Sequence, residues 1–156
     1  PIIGFNYGAG KADRVKQAFR ILILSSLVYA GCMWGLIMAL PQVFVGLFNS
    51  KAELVEITVW ALRIYLACFF LLGIQFSCQQ TFVALGQAKV SLFLALLRKV
   101  ILLIPLIFIL PQFVGDKVFA VFLAEPVADF LAAAVTGTVF FVQLPKILKA
   151  KAGQSA

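Results

Sequence analysis

Four long apolar stretches, separated by short polar segments, dominate the pattern of hydrophobic and polar positions along the chain. They cover residues 21–48, 57–85, 90–110 and 118–144. Each is long enough to supply the ~20 residues that an α-helix needs to cross a bilayer. The runs are continuous, whereas strands of a membrane barrel alternate apolar and polar positions over ~10 residues. The pattern therefore predicts an all-α membrane protein with four spanning helices.

The polar segments between these spans, NSKAE, GQAK and PQFVGDK, are short, so neighbouring spans should run antiparallel. Lysine and arginine are concentrated on one side of the predicted membrane, which by the positive-inside rule is the cytoplasmic side. That side carries Lys11, Arg14, Lys16, Arg20, Lys89, Lys146, Lys149 and Lys151, whereas the opposite side carries Lys51 and Lys117. Both ends of the chain are therefore expected in the cytoplasm of a multi-pass protein of the cell membrane.

The pattern divides the chain into four parts. Residues 1–8 resemble the end of a membrane helix, and residues 9–20 form a basic amphipathic segment that we expect to be a cytoplasmic linker helix on anionic lipid headgroups. Residues 21–145 are the four-helix membrane part, and residues 146–156 are a cytoplasmic tail. Because the chain begins with Pro1 inside an apolar run, we expect it to be a piece of a longer protein.

Composition supports a membrane protein and argues against several other classes. Hydrophobic residues make up 63% of the chain and charged residues 12%, against roughly 45–50% and 25% in soluble domains. The net charge of +7 lies in short clusters between apolar runs, so no nucleic-acid partner is expected. Three dispersed cysteines and no histidine predict neither a disulfide framework nor a metal site. No catalytic constellation or cofactor motif is present, so we do not expect an enzyme or a cofactor.

Two carboxylates inside the fourth span are the strongest candidates for function. Glu125 and Asp129 are four residues apart, so they share one face of a helix. A charge within the bilayer is costly and usually faces a partner or a cavity. Two interpretations remain open: the acids bind a proton or another cation as a pair, or they form structural salt bridges. Of the two, Glu125 is expected to be the freer group.

The third span supplies a named partner for the structural interpretation. The third and fourth spans form a hairpin about residues 111–117, and Arg98 lies at nearly the same depth as Asp129. We therefore predict an Arg98–Asp129 ion pair. The neighbouring Lys99 points about 100° away around a regular helix and could extend to the cytoplasmic interface instead.

The second span carries two amides that share a helix face, Gln75 and Gln79. They are candidates for binding a substrate in a polar cavity, although amides also hydrogen-bond between membrane helices as packing contacts. Pro105 and Pro126 lie within the third and fourth spans and predict helix kinks, since proline lacks the amide donor and crowds the preceding turn.

Several motifs resemble the multidrug and toxic compound extrusion (MATE) transporters, in their bacterial MepA-like branch. They are PIIGFNYGAGKADRVKQAFR, ALGQAKVSLFLALLRKVILLIPLIFILP and FLAEPVADFLAA. The resemblance implies the C-terminal six-helix lobe of a twelve-helix transporter, with the N-terminal lobe lying elsewhere in the same chain.

The resemblance also implies function: efflux of small organic, cationic substrates, driven by proton or sodium entry through alternating access of two lobes. NorM-type members carry a carboxylate in the tenth helix, where this chain has Gln75, and that difference argues against a NorM-type cation site. Two alternatives stay open, a lipid or oligosaccharide flippase of the same superfamily and a membrane scaffold without transport activity.

Overall fold

The chain folds into a bundle of α-helices, and residues 1–48 and 52–154, which the structure describes, contain no β-strand. The structure is a computed structural model. In chain order the helices are α1 (Ile2–Gly8), α2 (Ala12–Ala39), α3 (Pro41–Gly46), α4 (Ala52–Tyr65), α5 (Leu72–Ala84), α6 (Ala88–Leu96), α7 (Ile104–Phe113) and α8 (Lys117–Gln154). A 3₁₀ turn, Phe69–Leu71, precedes α5, and a π-helical segment, Leu97–Leu103, joins α6 to α7.

Within the described residues, three helices are long and apolar enough to cross a membrane unaided. They are Ala12–Ala39, Ala88–Phe113 and Lys117–Lys151. The bent pair Glu53–Tyr65 with Phe69–Ala84 meets the same test only when its two helices are taken together, and it then counts as a fourth span. The prediction of an all-α membrane protein is thereby confirmed. Of the predicted NSKAE loop, positions 49–51 lie outside the described residues.

The second predicted span, residues 57–85, differs from the sequence-based expectation of one continuous helix. Its two halves meet at an angle of 44° across residues 66–68. Neither proline nor glycine occurs at the break. Just beyond the break, Gly73 brings the backbone of α5 against α2 so closely that an added Cβ would lie 3.0 Å from the Ser26 carbonyl oxygen.

The basic segment at residues 9–20 is not separate from the first span. One helix, α2, runs from Ala12 to Ala39, so the expected boundary near residue 20 is absent. Val15 and Phe19, which form the apolar face of the segment, are buried in the protein core. The apolar face thus contacts other helices, while the basic side chains remain exposed at the end of the bundle.

The apolar core lies between α2, α5 and α8 and is centred on Phe140. The Phe140 ring lies 4.4 Å from the ring of Phe19 on α2 and 5.2 Å from the ring of Phe82 on α5, measured between centroids. All three rings are buried. We call this group the Phe140 core; it joins the three helices at one end of the bundle.

Small side chains on the inner face of α8 let the other helices approach closely. The buried members of this face are Ala120, Ala124, Ala128, Ala132 and Ala133. Such small-residue faces are the usual packing device of membrane helices, where lipid removes most of the hydrophobic drive for association. The same inner face of α8 carries Glu125 and Asp129, which brings both carboxylates into the bundle interior.

Candidate functional site

Four charged side chains from two antiparallel spans meet inside the bundle; we call them the charged quartet. Arg98 Nε donates to Asp129 Oδ1 at 2.6 Å, and Arg98 Nη2 donates to Glu125 Oε1 at 3.3 Å. Lys99 Nζ lies 2.8 Å from the same Glu125 oxygen. The two cations and two carboxylates sum to zero net charge, as a set of buried charges must to avoid a large desolvation cost.

The members of the quartet differ in burial. The residues Glu125 and Asp129 are 6% and 3% exposed, and the Arg98 side chain is 15% exposed. The Lys99 side chain is 51% exposed. Arg98 and Asp129 therefore form the enclosed side of the quartet, and Lys99 approaches Glu125 from its open side.

Helix α8 presents both carboxylates on one face, because they are separated by a single helical turn. The helix is continuous through Pro126, which is itself buried, so the kink predicted at this proline does not interrupt the helix. Proline at this position removes one backbone donor of the turn that carries the two acids. The carboxylates are thus held on a regular helical scaffold that lacks one of its own hydrogen bonds.

The cations lie on a π-helical segment, Leu97–Leu103, rather than on a regular α-helix. In such a segment the amide hydrogen bonds reach five residues back, the turn is wider, and adjacent side chains are redirected. Pro105 lies two residues beyond the end of this segment and has no amide N–H. A carbonyl oxygen of the preceding turn therefore lacks its usual hydrogen-bond donor. Here the irregularity predicted for Pro105 takes the form of a wide turn within one 26-residue span.

The wide turn accounts for the position of Lys99, which differs from the sequence-based expectation. The regular-helix geometry leaves Lys99 free to extend to the cytoplasmic interface, but its ammonium contacts Glu125, the same carboxylate that Arg98 reaches. Glu125 was expected to be the freer acid, and it has two cationic partners. Two adjacent cations six and seven positions before a mid-span proline are the sequence signal from which this arrangement could have been inferred.

The two predicted amides lie beside the quartet, in a pocket of about 180 Å³. The pocket is lined by Gln75, Phe76, Gln79, Ala95, Arg98 and Lys99. Gln75 is 3% exposed, and its Oε1 accepts no hydrogen bond from any described residue. The Gln79 Nε2 is likewise buried without an acceptor in the described part of the chain. Unsatisfied polar atoms beside charged groups are typical of a place that receives a polar ligand.

The structure thus brings the sequence-predicted site residues into one region, between α5, the π-helical segment and α8. Sequence reasoning did not include Lys99, Phe76 or Ala95 in that region. No three histidine, cysteine, aspartate or glutamate side chains among residues 1–48 and 52–154 are grouped as ligands for a metal ion. The polar contacts available to a ligand are therefore those of the amides and the charged quartet.

Apolar spanning helices around a buried and internally neutralised set of charges define an integral membrane protein of the all-α class. The MatE family model matches residues 1–109, which is more than half of the chain. The chain belongs to the MatE family. The matched residues include both amides and both cations of the site, whereas α8 with its carboxylates lies beyond them.

Similar proteins include several staphylococcal multidrug export proteins called MepA. The chain is 27% identical to the protein of Staphylococcus haemolyticus over 135 residues, which are 85% of this chain and 29% of the relative. It is 29% identical to the Staphylococcus aureus protein over 116 residues, 74% of this chain and 25% of the relative. The chain thus spans under a third of these relatives. No solved structure matches it.

Proposed function

We propose that this chain is part of a multidrug exporter in the cell membrane, and that the charged quartet with its pocket takes part in binding the exported compound. The proposal is supported by the family membership and by the MepA relatives, which are named for multidrug export. The observation that carries it is that Arg98 and Lys99, which hold the two buried carboxylates, line one pocket with two amides that have buried atoms unsatisfied by any described residue.

The proposed substrates are small organic cations, and the proposed driving force is inward movement of protons or sodium ions. Carboxylates inside a membrane bundle bind protons and cations alternately when their cationic partners can be displaced. Within the quartet, Glu125 is the better candidate for this role, because its contact with Arg98 is long and its other partner, Lys99, is half-exposed. Asp129 is held by the short, enclosed contact with Arg98 and has the more structural role.

The exporter would work by alternating access, with this chain as part of the C-terminal lobe and the rest of the full-length protein supplying the N-terminal lobe. Membrane lipids would surround the exposed apolar faces of the spans, and both ends of the chain would lie in the cytoplasm. The polar pocket beside Glu125 would open to one side of the membrane at a time. This chain would therefore supply the charged quartet and part of the substrate pathway.

Ethidium efflux by the full-length protein tests the proposal. We expect Glu125→Gln to lower the export rate about tenfold or more at unchanged protein amount, because a charge-assisted contact worth about 1.5–3 kcal/mol is lost. Asp129→Asn should lower both the export rate and the amount of folded protein. Glu56→Gln is the matched control, since Glu56 is an exposed carboxylate outside the quartet, on α4.

The outcomes separate the competing functions. Full export by both the Glu125→Gln and the Asp129→Asn proteins would remove the quartet from the transport mechanism. A wild-type full-length protein that exports neither ethidium nor other organic cations would contradict the exporter itself and favour a flippase or a scaffold. Collapsing the proton gradient and the sodium gradient in separate vesicle experiments identifies the coupling ion.

A further inference from the structure

Lys99 is the one member of the charged quartet that reaches it from the open side. Its Nζ lies 2.8 Å from Glu125 Oε1, yet half of its side chain is exposed. A half-exposed ammonium on a flexible stem can move to a hydrated position, so the cost of breaking the pair falls on the buried Glu125 carboxylate. Arg98 has no such freedom, because it is mostly buried and contacts both carboxylates.

The charge balance of the quartet depends on where Lys99 is. With Lys99 on Glu125, the two cations and the two carboxylates cancel. When Lys99 leaves, one cation and two carboxylates remain, and the group carries a net charge of −1. A buried excess charge is strongly unfavourable, so another cation will be drawn to Glu125. The site is therefore selective for a positive charge only while Lys99 is absent.

The pocket next to Lys99 has the dimensions and the chemistry to receive that other cation. Its volume is about 180 Å³, below the roughly 300–1,000 Å³ of pockets that enclose whole drug-sized ligands. It is therefore too small for the whole body of a drug-sized compound and would admit one N–H-bearing end of it. Gln75 Oε1, buried and without a donor, would accept an N–H from such a group, and the Phe76 side chain forms part of the wall.

From these observations we infer that Lys99 is a built-in competitor of the substrate: its ammonium occupies Glu125 until an N–H-bearing group of an organic cation displaces it. The inference rests on the proposed function, because it requires that Glu125 binds the exported cation. The competition also provides for release, because the returning ammonium of Lys99 replaces the bound compound at Glu125. The substrate class that fits is an organic cation that carries N–H donors at one end, and the probe is ethidium, whose two aromatic amino groups share the positive charge of its ring system.

The first test measures ethidium affinity by fluorescence anisotropy in the purified full-length protein. We expect Lys99→Gln to bind ethidium about three- to tenfold more tightly than wild type, because affinity rises as the fraction of unoccupied sites rises. Lys99→Arg, which keeps the competing charge, should stay near the wild-type affinity. Lys146→Gln is the matched control: Lys146 is an exposed lysine about 30 Å along α8 from Glu125, at 1.5 Å per residue.

A charge-balanced double variant distinguishes competition from a structural role. In Lys99→Gln/Glu125→Gln the remaining Arg98 and Asp129 again cancel, so the gain in ethidium affinity should disappear. A merely structural Lys99 would give the opposite result in the single variant, which would bind ethidium more weakly than wild type. Weaker or unchanged binding by Lys99→Gln overturns the inference.

A second measurement uses the wild-type full-length protein and so does not depend on the folding of any variant. Acylation of Lys99 by acetic anhydride, followed by mass spectrometry of its peptide, should become several-fold faster at saturating ethidium, while acylation of Lys146 stays unchanged. Slower or unchanged acylation of Lys99 contradicts displacement. If wild type exports ethidium while both tests on Lys99 fail, the inference is wrong and the proposed function stands; if wild type neither binds nor exports ethidium, the proposed function fails.

Discussion

Helix α8 passes through two regions that are held together in opposite ways. The Phe140 core is apolar and aromatic, with ring centroids 4.4 and 5.2 Å apart, whereas the charged quartet is built from ion pairs of 2.6–3.3 Å. Asp129 and Phe140 are separated by about 16 Å along the helix axis, at 1.5 Å per residue. One helix thus combines a region defined by shape with a region defined by charge balance.

The difference matters because the surrounding lipid changes how much each region contributes to the stability of the bundle. Apolar side chains gain little from leaving lipid for the protein interior, so the Phe140 core stabilises the bundle mainly by close packing. Charges lose heavily when they are left unpaired in the same surroundings. In the core, the loss of stability should therefore grow with the side-chain volume that a substitution removes. In the quartet, the loss of a single charge should already lower stability strongly.

The largest effect is expected from removing the central cation of the quartet. Arg98→Ala leaves two buried carboxylates with one half-exposed lysine, and should lower the free energy of unfolding of the full-length protein by about 3–5 kcal/mol. Unfolding in mixed micelles measures the change. Combining it with Asp129→Ala should recover part of the loss, with a coupling energy of about 0.5–3 kcal/mol. Strictly additive effects of the two substitutions would contradict their pairing.

A slightly smaller effect is expected in the Phe140 core. Phe140→Ala removes the ring that contacts both Phe19 and Phe82, and should cost about 3 kcal/mol, the low end for a buried phenylalanine, because lipid reduces the transfer contribution. The same unfolding assay measures it. The matched control is Phe130→Ala, since Phe130 is exposed on the same helix and should change stability by no more than about 0.5 kcal/mol.

Combining substitutions from the two regions tests whether they are independent. Phe140→Ala and Asp129→Ala should add to within about 0.5 kcal/mol, as substitutions more than 7–10 Å apart without shared partners usually do. A large coupling energy would show that α8 transmits strain between the two regions and that their contributions to stability are not independent.

The smallest effect concerns the helix that contributes to both regions. Helix α5 carries Gln75 towards the pocket and Phe82 into the core, and Gly73 brings it against α2. Gly73→Ala would place a Cβ 3.0 Å from the Ser26 carbonyl oxygen and 3.2 Å from the Leu27 nitrogen. Because both are backbone atoms, the helices must separate, at a cost of about 1–3 kcal/mol.

The control for this substitution is another helical glycine with room for a methyl group. At Gly137 the added Cβ would meet only Ile74 Cγ2, at 3.9 Å, an ordinary contact. Gly137→Ala should therefore stabilise the protein by about 0.5–1 kcal/mol, the usual gain in a helix interior. Ethidium affinity should fall in Gly73→Ala and stay unchanged in Gly137→Ala; equal stability of the two variants would exclude the close crossing.

The sequence was most informative where a requirement was local or was set by a short connection. Apolar run lengths predicted the spanning helices, and the tight hairpin about residues 111–117 allowed depth to be counted from the turn. That count placed Arg98 opposite Asp129, and their Nε and Oδ1 atoms lie 2.6 Å apart in the structure. Depth along antiparallel helices is a matter of counting residues at a fixed rise.

Features that depend on tertiary packing could not be read in the same way. The 44° break in the second span has no proline or glycine at residues 66–68 to signal it. The position of Lys99 followed from a π-helical turn, whereas the 100° spacing of a regular helix predicted a different direction. In both cases the backbone departs from the regular helix on which the sequence-based expectation was built.

The zero net charge of the quartet also has a consequence for how the protein enters the membrane. The span Ala88–Phe113 inserted alone would carry Arg98 and Lys99 into hydrocarbon, each at about 2.5–3.5 kcal/mol near the bilayer centre. The carboxylates that neutralise them arrive only with α8, after a short connection. We therefore expect the hairpin formed by the span Ala88–Phe113 and α8 to enter the membrane as one unit, with both pairs of charges arriving together.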